Sequence, residues 1–186
     1  GTGLLVWLNF YANPTIYSQL ALPIILFCGT ILSSILITLA ILDFKYFWLP
    51  QAITIGGLIL GITSSLIIDL SNDFGQFSYS LYSITASFLG LALFYLLSYV
   101  GFKIYNKPVM GRGDAKLSAL IGAWVGIKGL LIAIWLAFVS AGIFVILGLL
   151  LKKIKRNERI PFGVFLSFSG LIVWYFGNEI FLKLIF

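Results

Sequence analysis

The chain carries Gly111-Arg112-Gly113-Asp114-Ala115-Lys116-Leu117, an aspartate flanked by glycines at the mouth of an apolar run. A second aspartate, Asp43, closes an earlier apolar run of the opposite sense. The sequence holds only 6 acidic residues and is 61% hydrophobic. An ionisable group at the edge of an apolar segment is costly, and it is retained where it has chemistry to do. Two carboxyl groups that meet share a proton, because like charges a few Å apart cannot both ionise. One can then take a proton from water while the other gives one to a carbonyl oxygen. That is peptide hydrolysis by paired aspartates, with Asp43 and Asp114 as the candidate catalytic pair.

Each acid also has a plainer explanation. Asp is a favoured N-cap, which would account for Asp114 at a helix start. A plain helix-end account is weaker for Asp43, whose carboxylate would meet the negative end of a helix dipole. The dipoles suggest a division of labour, with Asp114 as the base toward water and Asp43 as the acid toward the carbonyl. Gly111 and Gly113 remove two side chains just before Asp114, so the backbone can bend and a substrate strand can come close. Lys116 is either an interface anchor or a group that orients Asp114 and stabilises developing negative charge. Small residues recur through Ala115, Ala119 and Ala123, and through Ser118, Gly122 and Gly126. Gly57, Gly61 and Ser65 form a similar stripe. Such stripes let helices approach closely in lipid, and they predict tight packing of the Asp114 helix against the group that holds Asp43.

The elements that must position these residues follow from composition. A mean hydropathy of +1.09 with 10% charged residues excludes a water-soluble globular domain. The apolar runs are long and continuous, which disfavours a β-barrel of short alternating strands. The expected fold is all-α: a polytopic membrane bundle of about six to seven helices, forming one domain over residues 1–186. Apolar runs occupy 3–12, 20–42, 52–68, 78–101, 115–127, 129–151 and 161–177. The run at 115–127 is too short for a simple crossing, so it must be tilted, sheltered or locally extended. Threading these runs alternately across a bilayer puts 10 of the 12 basic residues in the loops around 43–50, 102–116 and 152–160. Lys128 and Lys183 fall on the other side. Basic residues concentrate in cytosolic loops, so Asp43 and Asp114 are expected on one face, the cytosolic one. The net charge of +6 therefore reflects membrane orientation rather than nucleic-acid binding. The chain has no histidine and a single cysteine, Cys28, so the usual zinc constellations are missing and no metal is expected.

These residues resemble the type IV prepilin peptidases, bacterial membrane aspartic proteases marked by a Gly-x-Gly-Asp motif. Gly111 to Leu117, followed by Gly122-Ala123-Trp124-Val125-Gly126, is similar to the family's signature helix. Ala40-Ile41-Leu42-Asp43 with Leu49-Pro50 resembles its first aspartate segment, and Ile160-Pro161-Phe162-Gly163 a third block. Gln51 stands where the family often has Asp, and Val164 where it often has Pro. Neither departure touches the two acids. Many members carry a preceding helix and a cysteine-rich loop. Thr2-Gly3-Leu4-Leu5 resembles the segment after that loop, so the chain is expected to be the proteolytic portion or a naturally short member.

The resemblance implies a multi-pass protein of the bacterial inner membrane with its active site at the cytosolic face. The implied partners are the lipid bilayer and a prepilin or pseudopilin, whose short basic leader ends in glycine before an apolar helix. No cofactor is expected for proteolysis. S-adenosylmethionine enters only if a second activity, N-methylation of the new terminus, is present, and no residue pattern here carries it. The basic loops cannot attract a basic leader, so Lys152 to Arg159 reads as an orientation signal on anionic lipid. Two other classes also explain acids in an apolar bundle: a small proton- or cation-coupled transporter, and a non-catalytic assembly subunit.

Overall fold

The computed structural model describes residues 21–71, 78–106, 110–152 and 160–176. These form five helices: α1 (Ala21–Tyr46), α2 (Gln51–Ser71), α3 (Ser78–Tyr105), α4 (Arg112–Leu150) and α5 (Phe162–Phe176). No strand occurs among the described residues. Three stretches, Phe27–Tyr46, Tyr79–Ile104 and Arg112–Leu150, are long and apolar enough to cross a membrane, and α2 and α5 are shorter apolar helices. Phenylalanines, tyrosines and leucines cover the exposed surface, which is how a bundle solvated by lipid looks.

The expected count of six to seven helices is corrected to five among the described residues. The run at 3–12 lies outside them. The runs at 115–127 and 129–151 join into α4, whose 39 residues are interrupted by one non-helical position, Gly126. An uninterrupted helix of that length would measure about 58 Å, against a hydrocarbon core of about 30 Å. The packing shows how the chain avoids that length. A Cβ on Gly113 and one on Gly163 would both meet Leu49, and one on Gly170 would meet Ile121. Trp124 packs edge-on against Trp174, with ring centroids 5.8 Å apart. The first arm of α4, residues 112–125, therefore runs beside α5 in the same direction. Phe138 then lies back at Phe162, the start of α5, at 5.0 Å. The chain reverses at Gly126, and α4 is a helical hairpin.

Gly126 has φ 71° and ψ −177°, a region that essentially only glycine occupies. A Cβ there would meet nothing within 4 Å, so the requirement is conformational and not steric. Gly126→Ala is expected to destabilise the protein by about 1–3 kcal/mol. Gly142 lies in the second arm, also with open space around it. Gly142→Ala is expected to stabilise by up to about 1 kcal/mol through helix propensity. Thermal midpoints of the two variants in detergent should move in opposite directions.

The first arm is the centre of the bundle. Ala115 and every residue from Leu117 to Trp124 are buried, so this short run is sheltered by its neighbours. The small-residue stripes make that possible. A Cβ on Gly122 would lie 2.7 Å from the Ala86 carbonyl oxygen of α3, and one on Gly57 of α2 would lie 2.6 Å from Leu120. A Cβ on Gly61 would crowd Trp124 and Ala123, and the Trp124 indole donates to the Gly57 carbonyl at 2.8 Å. The expected tight packing is present, but the first arm packs on α3, α5 and α2, whereas α1 packs on α5 and α2. The acids on α1 and α4 are thus brought together through shared neighbours.

Candidate active site

α1 continues past the apolar run to Tyr46, which places Asp43 in its last turn. Asp43 is 6% exposed. Phe47 closes the helix in the left-handed region at φ 51°, its amide donating to the Asp43 carbonyl at 2.9 Å. Glycine is the usual residue in such a closing position. The phenylalanine here lines the site instead. Trp48 and Leu49 follow, and α2 begins at Gln51. From the other direction, α4 starts at Arg112 with Gly111 as its N-cap.

Asp43 and Asp114 line one cavity of about 320 Å³, together with Phe47, Trp48, Leu49, Gln51, Gly111, Arg112, Gly113 and Lys116. Two acids 71 positions apart in the sequence are therefore neighbours, close enough for the Asp43 charge to act on Asp114. The predicted loop residues Gly111 and Gly113 and the predicted Lys116 are in the same walls. Leu49 wedges between the starts of α4 and α5: a Cβ on Gly113 would lie 2.9 Å from Leu49 Cδ1, and one on Gly163 would lie 3.3 Å from the same atom.

Asp114 is not an N-cap. Gly111 takes that position, and Asp114 stands three residues further on. Its Oδ2 accepts from the Gly111 amide at 3.3 Å, while its own amide donates to the Gly111 carbonyl at 3.2 Å. This is half of a capping box, because glycine has no side chain to reciprocate. The unbalanced arrangement leaves the other carboxylate oxygen free of capping duty.

Asp43 is held differently. The first amides of α5, from Gly163 and Val164, interact with its carboxylate. Asp43 thus faces the positive end of α5 as well as the negative end of its own helix. The dipole argument that separated the two acids into base and acid no longer does so, since both meet a helix N-terminus. Oδ2 of Asp43 is buried and without a hydrogen-bond partner. A Cβ built on Gly163 would lie only 2.7 Å from that atom. An unsatisfied buried carboxylate oxygen is expensive, and here it is closed off against the start of α5 while Asp43 as a residue lines the cavity.

A model of the type IV leader peptidase family matches residues 30–146, a span that contains both acids. The chain is 35% identical over 146 residues to a prepilin leader peptidase/N-methyltransferase of Legionella pneumophila, covering 78% of this chain and 48% of that protein. It is 32% identical to the protein of the same name from Neisseria gonorrhoeae, over 78% and 47%. With the one from Xanthomonas campestris it shares 29%, over 83% and 51%. The chain belongs to the type IV leader peptidase family. It spans about half the length of these curated relatives. No solved structure matches it.

In this chain the three sequence blocks meet: Asp43 with Leu49 and the segment from Gly111 to Lys116 line one cavity, and the start of α5 abuts Asp43 and Leu49. Gln51, where an acid is common in the family, lines the cavity without adding a third carboxylate. Val164 occupies a position whose amide serves Asp43, a donor that proline would lack. Gly163 was visible in the sequence only as part of a motif. Its role, clearing space for a carboxylate, requires knowing that α5 begins against Asp43, and no local signal carries that. Among the described residues no group of three or more His, Cys, Asp or Glu gathers in a way that could hold a metal.

Proposed function

We propose that this chain is a single membrane-embedded proteolytic unit that cleaves the basic leader from prepilins or pseudopilins by aspartic catalysis. The observation that carries the reading is the convergence of Asp43 and Asp114 on one cavity at one end of the bundle. A water between the carboxylates loses a proton to one of them as its oxygen attacks the scissile carbonyl carbon. The other gives its proton to the carbonyl oxygen. Collapse of the tetrahedral intermediate breaks the C–N bond, and the departing amine takes a proton back from the pair. Lys116 in the cavity wall is placed to favour the negative charge that develops.

Placement at the cytosolic edge of the inner membrane is supported by charge. Among the described residues Lys45, Lys103, Arg112, Lys116 and Lys152 belong to the end of the bundle that carries the site, and Lys128 to the opposite end. That is the asymmetry of a cytosolic site. The cleavage point after glycine and the apolar helix of the substrate are carried over from the family. The transporter reading gains nothing, since both acids sit at one end and not along a path through the bundle.

The relatives' names add an N-methyltransferase, whose donor would be S-adenosylmethionine. Adenine and ribose need converging polar partners; the groove of about 490 Å³ offers only the hydroxyls of Ser140 and Ser167 among apolar side chains, and the carboxylates of the acid cavity are the proposed pair. No methyl-transfer step is assigned to these residues.

The test is direct. Purified protein in detergent, given a fluorescent prepilin leader peptide, is expected to release the leader with a single cut after its glycine. Intact peptide after prolonged incubation with folded protein overturns the reading.

A further inference from the structure

Two buried side-chain polar atoms among the described residues lack a hydrogen-bond partner: Asp43 Oδ2 and Ser167 Oγ. They are not scattered. Gly163 abuts Asp43, and Ser167 lies four residues further along α5, one turn or about 6 Å deeper into the bundle. Ser167 lines a groove of about 490 Å³ between α1, α5 and the second arm of α4. Ile37, Ala40 and Ile41 form one wall, and Val164 and Phe168 another. Ala40 and Ile41 lie three and two residues before Asp43 on α1, so the groove leads away from the acid cavity toward the membrane interior. Ile37, Ile41 and Phe168 are about half exposed, so the groove opens sideways to lipid.

Ser33, Ser34, Ser118 and Ser140 of α1 and α4 bond back to a carbonyl of the preceding turn, Ser140 in the same groove to Ala137. Ser167 does not. We propose that this groove seats the first turns of the substrate's apolar helix, with Ser167 Oγ accepting a backbone N–H from the turn next to the scissile bond. The proposal rests on the protease reading above and names where that substrate lies. A segment inside lipid must be helical to satisfy its own backbone. Its first turn nonetheless carries amides with no partner in the helix. A helix beginning at the scissile bond brings those amides one turn below Asp43, where Ser167 waits. An acyl chain filling the same groove has no donor and would leave Ser167 unpaired. The apolar walls take side chains from one face of the helix, the usual mode of helix-in-groove recognition.

The experiment compares two substrates with the full chain in lipid nanodiscs: a membrane-embedded prepilin, and a short soluble leader peptide ending soon after the cleavage site. The readout is the ratio of kcat/KM for the embedded substrate to that for the short one. Ser167→Ala is expected to lower this ratio about fivefold, the effect of one lost hydrogen bond. Ile37→Trp, at an exposed position that folding tolerates, is expected to lower it about tenfold or more by filling the groove. A photo-reactive side chain at Phe168 in an Asp114→Asn protein should form an adduct with the first turns of the prepilin. Unchanged ratios in both variants, or adducts only to lipid or within the chain, overturn the groove proposal. A wild-type protein that cleaves neither substrate instead overturns the protease reading.

Discussion

Asp114→Asn is expected to slow leader cleavage by roughly 10³- to 10⁴-fold, because it removes one member of an acid–base pair. Asp43→Asn should do the same, and the double variant should lose little more, since residues acting as one unit are not additive. Folding should survive. In the Asp114→Asn protein the new amide oxygen can still accept from Gly111, which now bonds Asp114 Oδ2 at 3.3 Å. At position 43 the substitution removes a buried carboxylate whose Oδ2 has no partner and whose charge acts on its neighbour. The Asp43→Asn protein is therefore expected to melt at a temperature equal to or above wild type, the usual trade of function against stability. Single-turnover cleavage and thermal melts in one detergent would check both halves. Retained cleavage in the double variant would remove the catalytic pair from consideration.

Much of this arrangement was legible in the residues themselves. Long apolar runs fix helices because lipid leaves the backbone no other option, so the limits of α2, α3 and α5 fall close to their runs. The pairing of Asp43 with Asp114 followed from alternating those runs and counting lysines and arginines on each side. The glycine stripes announced close packing. What they could not announce was the partner, because a small residue permits approach from any helix. The expected packing of the Asp114 helix against the group that holds Asp43 is made through α2 and α5. The plainer explanation of Asp114, an N-cap, is excluded by the fold alone: Asp suits both the cap and the third helical position, and the choice depends on where Gly111 turns the chain. The reversal after the first arm was legible to within a few residues: the runs 115–127 and 129–151 thread in opposite directions about Lys128, and Phe138 returns to Phe162. What the runs did not show is that the turn takes a single non-helical residue, Gly126, rather than a loop.

Gly163→Ala is the second substitution expected to have a large effect, and it separates a positioning role from a packing one. The added methyl would lie 2.7 Å from Asp43 Oδ2 and 3.0 Å from its Cγ, inside the limit of ordinary contact. The carboxylate is the part that can swing, and moving it by about 1 Å is enough to cost on the order of 100-fold in rate. The helices need not move, so melting should change little. Gly113→Ala is the matched control. Its methyl would meet Leu49 Cδ1 at 2.9 Å, the end of a side chain that can rotate away, and Leu49 Cβ at 3.2 Å, which needs a shift of a few tenths of an ångström. Cleavage by Gly113→Ala should fall far less, because neither acid is in the path. The discriminating measurement is kcat against KM for each variant. A displaced Asp43 lowers kcat with substrate binding preserved, whereas a distorted loop raises KM. Equal small losses in both variants would mean that the start of α5 merely packs near Asp43 and does not set its position.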